Sequence, residues 1–417
     1  MKIYISDISA DLKAMTGLLG RGNEATAFQF FHFAFQEKTL EVTAANLGSG
    51  VTRGFPAQVE TPVTLLVPPG FIDVIAGLGD VIALTITADE IRVQAGAFDG
   101  TVKCLAADDY PQLPTTQLER PITITPAAFN QLLGVSPYAD PAASPALEGV
   151  LFSWKTYDKG HMKMSTRAAS TAALALTTVA ARGENEAGEA LVTSTSINAL
   201  KVLLRAATTD IEIFKGQGHL VFKSTAVTAW IGLLSISYPD FGPLFARQFA
   251  CPACSRRGNL PQQALKTVTC QHCQQETPID QLVFPKHVSG VTETGTLSTG
   301  LAKAIRHIAI GNGENGSKVT ASAYNAIFAV QPGQIALTYH TGASQPSTYV
   351  FPFNTDDEPD LQIGFNLHIL EKAVHGIENV IGGQAITLGF TDEKGQLVLR
   401  AQTSEGPFIA VAMPVAL

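Results

Sequence analysis

The sequence lacks a long apolar run, an excess of positive charge and the common catalytic motifs. No uninterrupted apolar stretch approaches the about 18 to 20 residues needed to span a bilayer, and the first residues lack the apolar core of a signal peptide. We therefore expect a cytoplasmic protein. The 28 Lys+Arg against 36 Asp+Glu give a net charge of −8, which argues against a uniformly basic protein that coats nucleic acid.

The absent motifs argue against an enzyme. The sequence has no G-x-x-x-x-G-K-[ST], no G-x-S-x-G and no H-E-x-x-H. The nine histidines are scattered, and His161 and His219 fit polar positions of hairpin turns. Cys104, in an alternating segment, fits a buried core thiol better than a nucleophile.

Four of the five cysteines fall in one short segment with regular spacing. The segment reads Cys-x2-Cys, fifteen residues, then Cys-x2-Cys, which predicts two knuckles that bind one structural Zn²⁺ per chain through four thiolates. With all four ligands from protein, no position stays open for a catalytic water. Two reducible disulfides or free thiols are the alternative. The predicted ligands are Cys251, Cys254, Cys270 and Cys273.

Three long stretches of the chain repeat one pattern. At 417 residues, with 46% hydrophobic and 15% charged residues, the chain should fold into two to four domains. A short strand runs into an amphipathic helix at 61–78, 189–206 and 360–377. Alternating hairpin patterns precede these stretches at 31–46, 149–166 and 325–340, and follow them at 82–95, 211–224 and 386–401.

A further helix opens each copy, so the sequence predicts three domains, each with two helices and many antiparallel strands, an α+β protein. Three such units with these segments resemble the bacterial DNA polymerase III β subunit, the replicative sliding clamp. The stretches that carry the resemblance are P-V-T-L-L-V-P-P-G-F-I-D-V-I-A-G-L, L-A-A-D-D-Y-P-Q-L, S-Y-P-D-F, I-G-F-N-L-H-I-L and the terminal V-A-M-P-V-A-L.

The resemblance implies the DNA clamp fold and a domain plan. The expected domains are 1–118, 119–243 and 283–417, with the cysteine segment inserted as a zinc ribbon at 244–282. In the family, the segment resembling S-Y-P-D-F leads shortly into one resembling V-F-P-K, but here some forty residues separate them.

The resemblance also implies a function. A homodimeric ring would encircle duplex DNA without sequence preference and tether the replicative polymerase for processivity, without catalysis of its own. The alternative is a clamp-fold adaptor or zinc-ribbon DNA-binding regulator that never encloses DNA.

Basic residues on the predicted helices are the candidate DNA contacts. They would form a sparse electropositive inner face on an acidic protein, although each also fits an ordinary solvated helix position. The set comprises Lys13, Arg21, Lys201, Arg205, Lys303, Arg306 and Lys372.

By resemblance, the DNA polymerase and clamp loader insert short hydrophobic peptide motifs into a cleft between domains 2 and 3. The alternative is that the C-terminal strand only completes the last sheet. The matching positions are Val283, Val411, Met413, Pro414, Val415 and Leu417.

Two departures alter this cleft. The family's T-D-G-H-R-L turn corresponds to R-A-A-S-T-A at 167–172, and Ala416 stands where the family has an arginine. We therefore expect a shallower, less polar pocket. The ribbon falls at the same joint, so it either extends or shields the cleft, or its cations Arg256, Arg257 and Lys266 contact DNA or are simply solvated.

Overall fold

The computed structural model divides the chain into two compact units. Unit 1 comprises residues 1–136, 148–166 and 178–236, and unit 2 comprises residues 137–147, 167–177 and 237–417. The residues that the structure describes are 2–22, 24–57, 59, 61–76, 78, 81–108, 110–111, 114, 120–142, 144–241, 248–259, 267–278, 281–282, 288–292, 294–311, 324–340, 346–355, 361–381, 385–390 and 396–415.

Unit 1 contains short helices and antiparallel strands. Its helices are α1 (Ile5–Met15), α2 (Phe71–Ala76), α3 (Pro126–Leu133) and α4 (Ile197–Ala206). Its strands are β1 (Lys2–Tyr4), β2 (Phe31–Phe35), β3 (Thr39–Ala45), β4 (Ser49–Pro56), β5 (Val63–Val67), β6 (Val81–Ile86), β7 (Glu90–Ala95), β8 (Phe98–Lys103), β9 (Leu105–Ala106), β10 (Ile122–Ile124), β11 (Gly149–Asp158), β14 (Gly188–Thr193), β15 (Ile211–Lys215), β16 (His219–Ser224) and β17 (Val227–Gly232). The strands β12 (His161–Ala169) and β13 (Ala173–Arg182) contribute residues to both units.

Unit 2 contains two longer helices and the cysteine segment. The helices are α5 (Thr294–Gly311) and α6 (Leu367–Ile381). The strands are β18 (Gln248–Ala250), β19 (Arg257–Asn259), β20 (Thr267–Thr269), β21 (Glu276–Pro278), β22 (Val288–Thr292), β23 (Asn325–Gln331), β24 (Gly333–Tyr339), β25 (Ser347–Phe353), β26 (Leu361–Asn366), β27 (Ile386–Phe390), β28 (Leu397–Gln402) and β29 (Pro407–Ala412).

The predicted threefold repeat is present. The strand-to-helix stretches are β5–α2, β14–α4 and β26–α6, and α1, α3 and α5 are the helices that open the copies. The flanking strands also appear at the predicted positions, as β2–β3, β11–β12 and β23–β24 before each stretch and β6–β7, β15–β16 and β27–β28 after it. The α+β prediction is therefore confirmed, while the three domain boundaries stay a prediction.

Side-chain spacing explains why each segment takes its form. In β2 the alternate residues Phe31, Phe33 and Phe35 are at most 1% exposed, as expected for a strand with one face in the core. In α4 the apolar residues recur at helical spacing and are buried, whereas Lys201 and Arg205 are exposed.

Antiparallel sheets organise each unit. In unit 1, β1, β6, β7 and β8 form a four-stranded sheet, and β4 pairs with β17 from Val227↔Arg53 to Ile231↔Ser49. In unit 2, β25, β24, β23 and β26 form a second four-stranded sheet. There β22, β27, β28 and β29 pair in succession, and β29 also pairs with the part of β13 that belongs to unit 2, from Ala173↔Ala412 to Thr177↔Phe408.

Partly or fully buried hydrogen bonds tie three of the helices that carry candidate DNA residues, α1, α4 and α6, to the rest of their units. Arg53 of β4 donates from Nε to Asp11 of α1 at 3.1 Å and from Nη1 to the carbonyl of Ala206 at the end of α4, at 3.3 Å. A cation at a helix C-terminus stabilises the exposed carbonyls there. In unit 2 the buried Tyr138 donates its hydroxyl to the carbonyl of Ala373 in α6. No helix among the described residues is both long and apolar enough to span a membrane.

The contact of Tyr138 with α6 makes a testable prediction. A Cβ at Gly376 would lie 2.6 Å from Cε2 of Tyr138, so Gly376→Ala should lower the free energy of unfolding by about 1–3 kcal/mol through overpacking. Gly295→Ala is the matched control, because a Cβ there meets no atom within 4 Å and alanine favours a helix. Chemical denaturation measures both variants, and a Gly376→Ala protein as stable as the control would contradict this packing.

Candidate metal centre and apolar cluster

The four paired cysteines meet in unit 2. Their sulfur atoms all lie within 4.8 Å of one another, with 3.6 Å between Cys251 and Cys273 and 3.7 Å between Cys254 and Cys270. These distances exceed a disulfide bond of about 2.05 Å. They match the edge of about 3.8 Å of a tetrahedron whose sulfurs lie about 2.3 Å from a central ion. The cluster can hold a metal ion.

The backbone of the two knuckles has the same geometry. The N–H of Ser255 donates to the carbonyl of Cys251 at 2.8 Å, and the N–H of Gln274 donates to the carbonyl of Cys270 at 2.8 Å. Ser255 and Gln274, with φ of 56° and 61°, are the non-glycine residues with positive φ in the described part of the chain. Such left-handed residues are uncommon, and here each turns the chain directly after the second cysteine of its knuckle.

A small core supports the knuckles. Phe249, Val268 and Leu282 are buried with Cys251 and Cys270, and the strand pairs β18–β19 and β20–β21 flank this core. Backbone N–H groups of Cys273 and then His272 lower the pKa of the Cys270 thiol to about 6, which favours the thiolate that a metal requires.

The outer surface of the knuckles carries basic groups. Arg256 is exposed and places Nη1 3.5 Å from Nδ1 of the exposed His272, across the two knuckles. The side chain of Arg257 and all of Lys266 lie outside the described residues.

The fifth cysteine does not join this cluster. Cys104 lies between β8 and β9 rather than within a strand, and its N–H donates to the carbonyl of Asp89 at 2.7 Å. It is 6% exposed, and burial raises its pKa to about 11, so it is a core thiol at neutral pH. His219 starts β16 after the turn, where Nδ1 lies 3.0 Å from the carbonyl of Gln217.

A second site in unit 2 is apolar and lies beside the C-terminal strand. We call it the C-terminal cluster; its members pack together, the first four buried and the others partly exposed. They are Ala169, Leu174, Val398, Val411, Leu147, Phe241, Ile409 and Met413.

Strand pairing assembles the C-terminal cluster. Val411 of β29 is in register with Val398 of β28 on one side and with Leu174 of β13 on the other. Beyond the strand, the N–H of Met413 donates to the carbonyl of Ala172 at 2.8 Å, which holds the partly exposed methionine at the edge of the cluster. The last strand therefore completes a sheet and also contributes to an accessible apolar surface.

The predicted cleft residues have different positions. Val411 and Met413 belong to the C-terminal cluster. Pro414 is partly exposed, and the N–H of Val415 donates to the carbonyl of Gly364 in β26 at 2.9 Å. Val283, Ala416 and Leu417 lie outside the described residues.

Sequence reasoning missed several members of this cluster. Leu174 and Val398 reach Val411 only through strand pairing, and the pairing of Leu174 with Val411 joins residues 237 apart in sequence. Phe241 ends the stretch S-Y-P-D-F, which does not indicate that its ring packs against the C-terminal cluster. The alternating A-L-A-L of β13 is a signal for a strand, but it does not name the partner strand.

Polar groups border the cluster on the altered turn segment. Arg167 begins R-A-A-S-T-A and lies two residues before Ala169 in β12. Within the described part of the chain, Nε of Arg167 and the hydroxyl of Tyr238 are buried without a hydrogen-bond partner. Burial raises the pKa of Tyr238, and the charge of Arg167 partly opposes that rise, so the two side chains are electrostatic neighbours.

Unit 1 contains an apolar cluster that corresponds to the C-terminal cluster, but the side chain of Trp230 fills it. Its cluster consists of Phe28, Ala45, Phe214, Val221 and Trp230, with Tyr110 packed against it. Trp230 is in register with Val221 and with Gly50, the positions equivalent to Val398 and Leu174 around Val411. A Cβ at Gly50 would lie 2.6 Å from Nε1 of Trp230, so the indole occupies the volume that smaller side chains leave in unit 2.

The candidate DNA residues are all exposed and lie on or beside helices. Lys13 is on α1, Arg21 follows it, and Lys201 and Arg205 are on α4. In unit 2, Lys303 and Arg306 are on α5 and Lys372 is on α6.

The neighbourhood of these residues in unit 2 is mixed in charge. Nζ of Lys303 lies 5.7 Å from the centre of the Tyr349 ring. A groove of about 410 Å³ between α5 and α6 is lined by Lys372, His375, Glu371 and Glu378, and burial raises the pKa of Glu378.

Each four-stranded sheet has one end strand with an exposed apolar side chain. Among the described residues, β8 pairs only with β7 and β25 only with β24. Each carries an exposed apolar side chain, Phe98 at 38% and Val350 at 50%.

Known proteins share this architecture. A β sliding clamp of Synechocystis sp. is 26% identical over 257 residues, which cover 53% of this chain and 62% of that clamp. The chain thus spans under two thirds of the curated relative it matches, and no protein-family model matches it.

Solved structures match over the whole length. DNA polymerase III β subunits of Thermotoga maritima and Streptococcus pyogenes give TM-scores of 0.74 and 0.75 at 14% and 15% identity, covering 100% of this chain and 99% of theirs. A Pseudomonas aeruginosa clamp bound to griselimycin gives 0.74 at 15% identity with the same coverage. The resemblance found in the sequence is confirmed: the chain has the fold of the bacterial DNA polymerase III β subunit.

Proposed function

We propose that the protein is a DNA sliding clamp. Two copies form a ring around duplex DNA and tether a polymerase, and the protein catalyses no reaction itself. The observation that carries this proposal is the similarity to β-subunit clamps over 100% of the chain.

The free edge strands support the ring. Each repeat has three consecutive strands before its strand-to-helix stretch, and the third of these is β4, β13 or β25. Each repeat also has three strands that pair in succession after its second helix, and the last of these in the second, third and first repeats are β17, β29 and β8. The first two of each set pair as β4–β17 and β13–β29. By the same rule β25 of one copy pairs with β8 of the other, head to tail, and covers Phe98 and Val350.

The exposed basic residues support sequence-independent contact with DNA. Seven candidates lie on or beside α1, α4, α5 and α6, on a chain whose net charge is −8. Weak phosphate contacts of this kind permit sliding, and salt screens them readily.

The C-terminal cluster supports docking of hydrophobic peptide segments from a polymerase and a clamp loader. Its partly exposed members surround a buried floor, and methionine adapts to several related ligands. The altered turn at 167–172 and the border of Arg167 and Tyr238 give this surface its own partner preference.

The cysteine cluster supports one structural Zn²⁺ per chain. Four thiolates in near-tetrahedral arrangement suit zinc, and the backbone N–H groups of Cys273 and His272 donate to the sulfur of Cys270. The ion holds the ribbon together and leaves no ligand position for substrate.

The native mass tests the ring. At micromolar concentration the wild type should run at twice the mass of the chain, and Val350→Asp should run as a monomer because a carboxylate would enter the strand interface. Leu47→Asp is the control, since Leu47 is 73% exposed in the turn between β3 and β4. A monomeric wild type would favour the adaptor alternative, and a dimeric Val350→Asp protein would assign the interface elsewhere.

Metal analysis tests the ribbon. The wild type should carry one zinc ion per chain, and Cys254→Ser should lose it and become sensitive to proteolysis within 248–282, because a structural ion supplies folding energy to its knuckles. Cys104→Ala should retain the ion, since Cys104 lies outside the cluster. Full zinc occupancy in Cys254→Ser would refute four-sulfur binding.

Griselimycin serves as a probe of the C-terminal cluster, because a structurally similar clamp is described with it bound. Met413→Glu should weaken its binding by at least about tenfold, since the new carboxylate would be desolvated at the contact. Leu47→Glu should bind as the wild type does. Equal affinity of the Met413→Glu and wild-type proteins in calorimetric titration would exclude the cluster as the site.

A further inference from the structure

The tip of the β11–β12 hairpin in unit 1 is basic and carries an exposed aromatic ring. We call residues 155–163, K-T-Y-D-K-G-H-M-K, the basic hairpin. Gly160 turns the chain with φ of +74°. The proposed clamp function uses none of these residues, and the candidate DNA positions on the helices do not include them.

Alternation places the cationic and aromatic groups on the outside. Met162 and Met164 of β12 are fully buried, whereas His161 and Lys163 between and beside them are exposed. In β11 the exposed end includes Lys155 and Tyr157, with Lys159 in the turn. Tyr157 is 56% exposed, although the core beneath the hairpin is already closed by the methionines.

Two side chains lie close to the ring of Tyr157. Nζ of Lys163 lies 5.3 Å from its centre, and the His161 ring lies 6.1 Å away at an interplanar angle of 31°. The strand below is fixed as well, because Thr156 donates its hydroxyl to the carbonyl of Asn185 at 2.8 Å. Tyr157 therefore has two close neighbours and is still more than half exposed.

The lysines are available for a ligand. Across the described residues, no carboxylate lies within 4.0 Å of the amino group of Lys155, Lys159 or Lys163. Two nearby acidic residues have other partners. Asp158 accepts from the backbone N–H of Lys159, and Glu184 pairs with Arg120 at 3.6 Å. Glu186 is exposed in the adjoining loop.

An aromatic face flanked by unpaired lysines fits one class of ligand best. Single-stranded nucleic acid offers a base to stack on the ring and phosphates at lysine spacing, and both contacts are independent of sequence. An acidic peptide would form ion pairs with the lysines but would have no group that stacks on the ring of Tyr157. A duplex keeps its bases stacked inside and cannot use the ring either.

We propose that the basic hairpin binds single-stranded DNA or RNA, with a base on Tyr157 and phosphates on Lys155, Lys159 and Lys163. This site does not require the ring to close, so it stands or falls separately from the clamp function.

Fluorescence anisotropy of a labelled oligothymidine of about 12 nucleotides tests the site on the full-length protein. Tyr157→Thr, which keeps a strand-forming residue, should weaken binding by at least about fivefold through loss of stacking. Tyr157→Phe should bind as the wild type does, since it keeps the ring. Equal affinity of the threonine and wild-type proteins would overturn the proposal.

The salt dependence of oligothymidine affinity tests the three lysines separately from Tyr157. Changing Lys155, Lys159 and Lys163 together to Gln should reduce the slope of log affinity against log salt by about 2, at about 0.7 per phosphate contact, while changing all three to Arg should preserve it. Lys38→Gln, in the exposed turn between β2 and β3, should leave oligothymidine affinity unchanged. If Lys38→Gln weakens binding as much as the triple Gln variant does, the oligonucleotide does not bind specifically at the basic hairpin and the proposal fails.

A peptide competitor separates the remaining class of partner. A polyglutamate peptide should displace the oligonucleotide only weakly, and its own affinity should not depend on Tyr157. If polyglutamate binds more tightly than oligothymidine, the hairpin is a surface for acidic proteins and the nucleic-acid assignment is wrong.

Discussion

Antiparallel pairing between the edge strands of successive repeats is the contact on which the other features depend. β4 meets β17 in unit 1, and the end of β13 meets β29 in unit 2, so each closing sheet extends the sheet of the preceding repeat. These ladders hold Val411 against Leu174 and bring Arg53 to Asp11 of α1 and to the C-terminus of α4. Backbone hydrogen bonds do not depend on side-chain identity, which is consistent with a fold kept at 14–15% identity to its structural neighbours.

The cysteine segment is organised differently, because its own sheets are too small to hold it. Two strand pairs of three residues each and a few buried side chains supply little apolar burial. Four converging sulfurs and two left-handed turns replace that missing core. The segment thus carries its own means of folding, in strand pairs separate from the larger sheets.

Local patterns in the sequence predicted the helices, the strands and the cysteine cluster, but they did not predict contacts between residues far apart in the chain. The alternation of Phe31, Phe33 and Phe35 lies within five residues and the four cysteines within one segment of 23, so periodicity and spacing reveal them. The contact of Leu174 with Val411 and the hydrogen bond of Tyr138 to Ala373 join residues more than 230 positions apart. No local pattern encodes such partners, and the positive φ of Ser255 and Gln274 also escaped because neither is glycine.

The indole of Trp230 has a consequence for how the two apolar clusters divide their work. It closes the cluster of unit 1 from within, whereas valine and leucine at the equivalent positions leave the C-terminal cluster partly open. The cluster of unit 1 therefore only stabilises the fold, whereas the C-terminal cluster also leaves apolar surface for a partner. If partner proteins dock on the C-terminal cluster, two of them cannot occupy the cluster of one chain together. Proteins that need this cluster then bind it in turn, by competition.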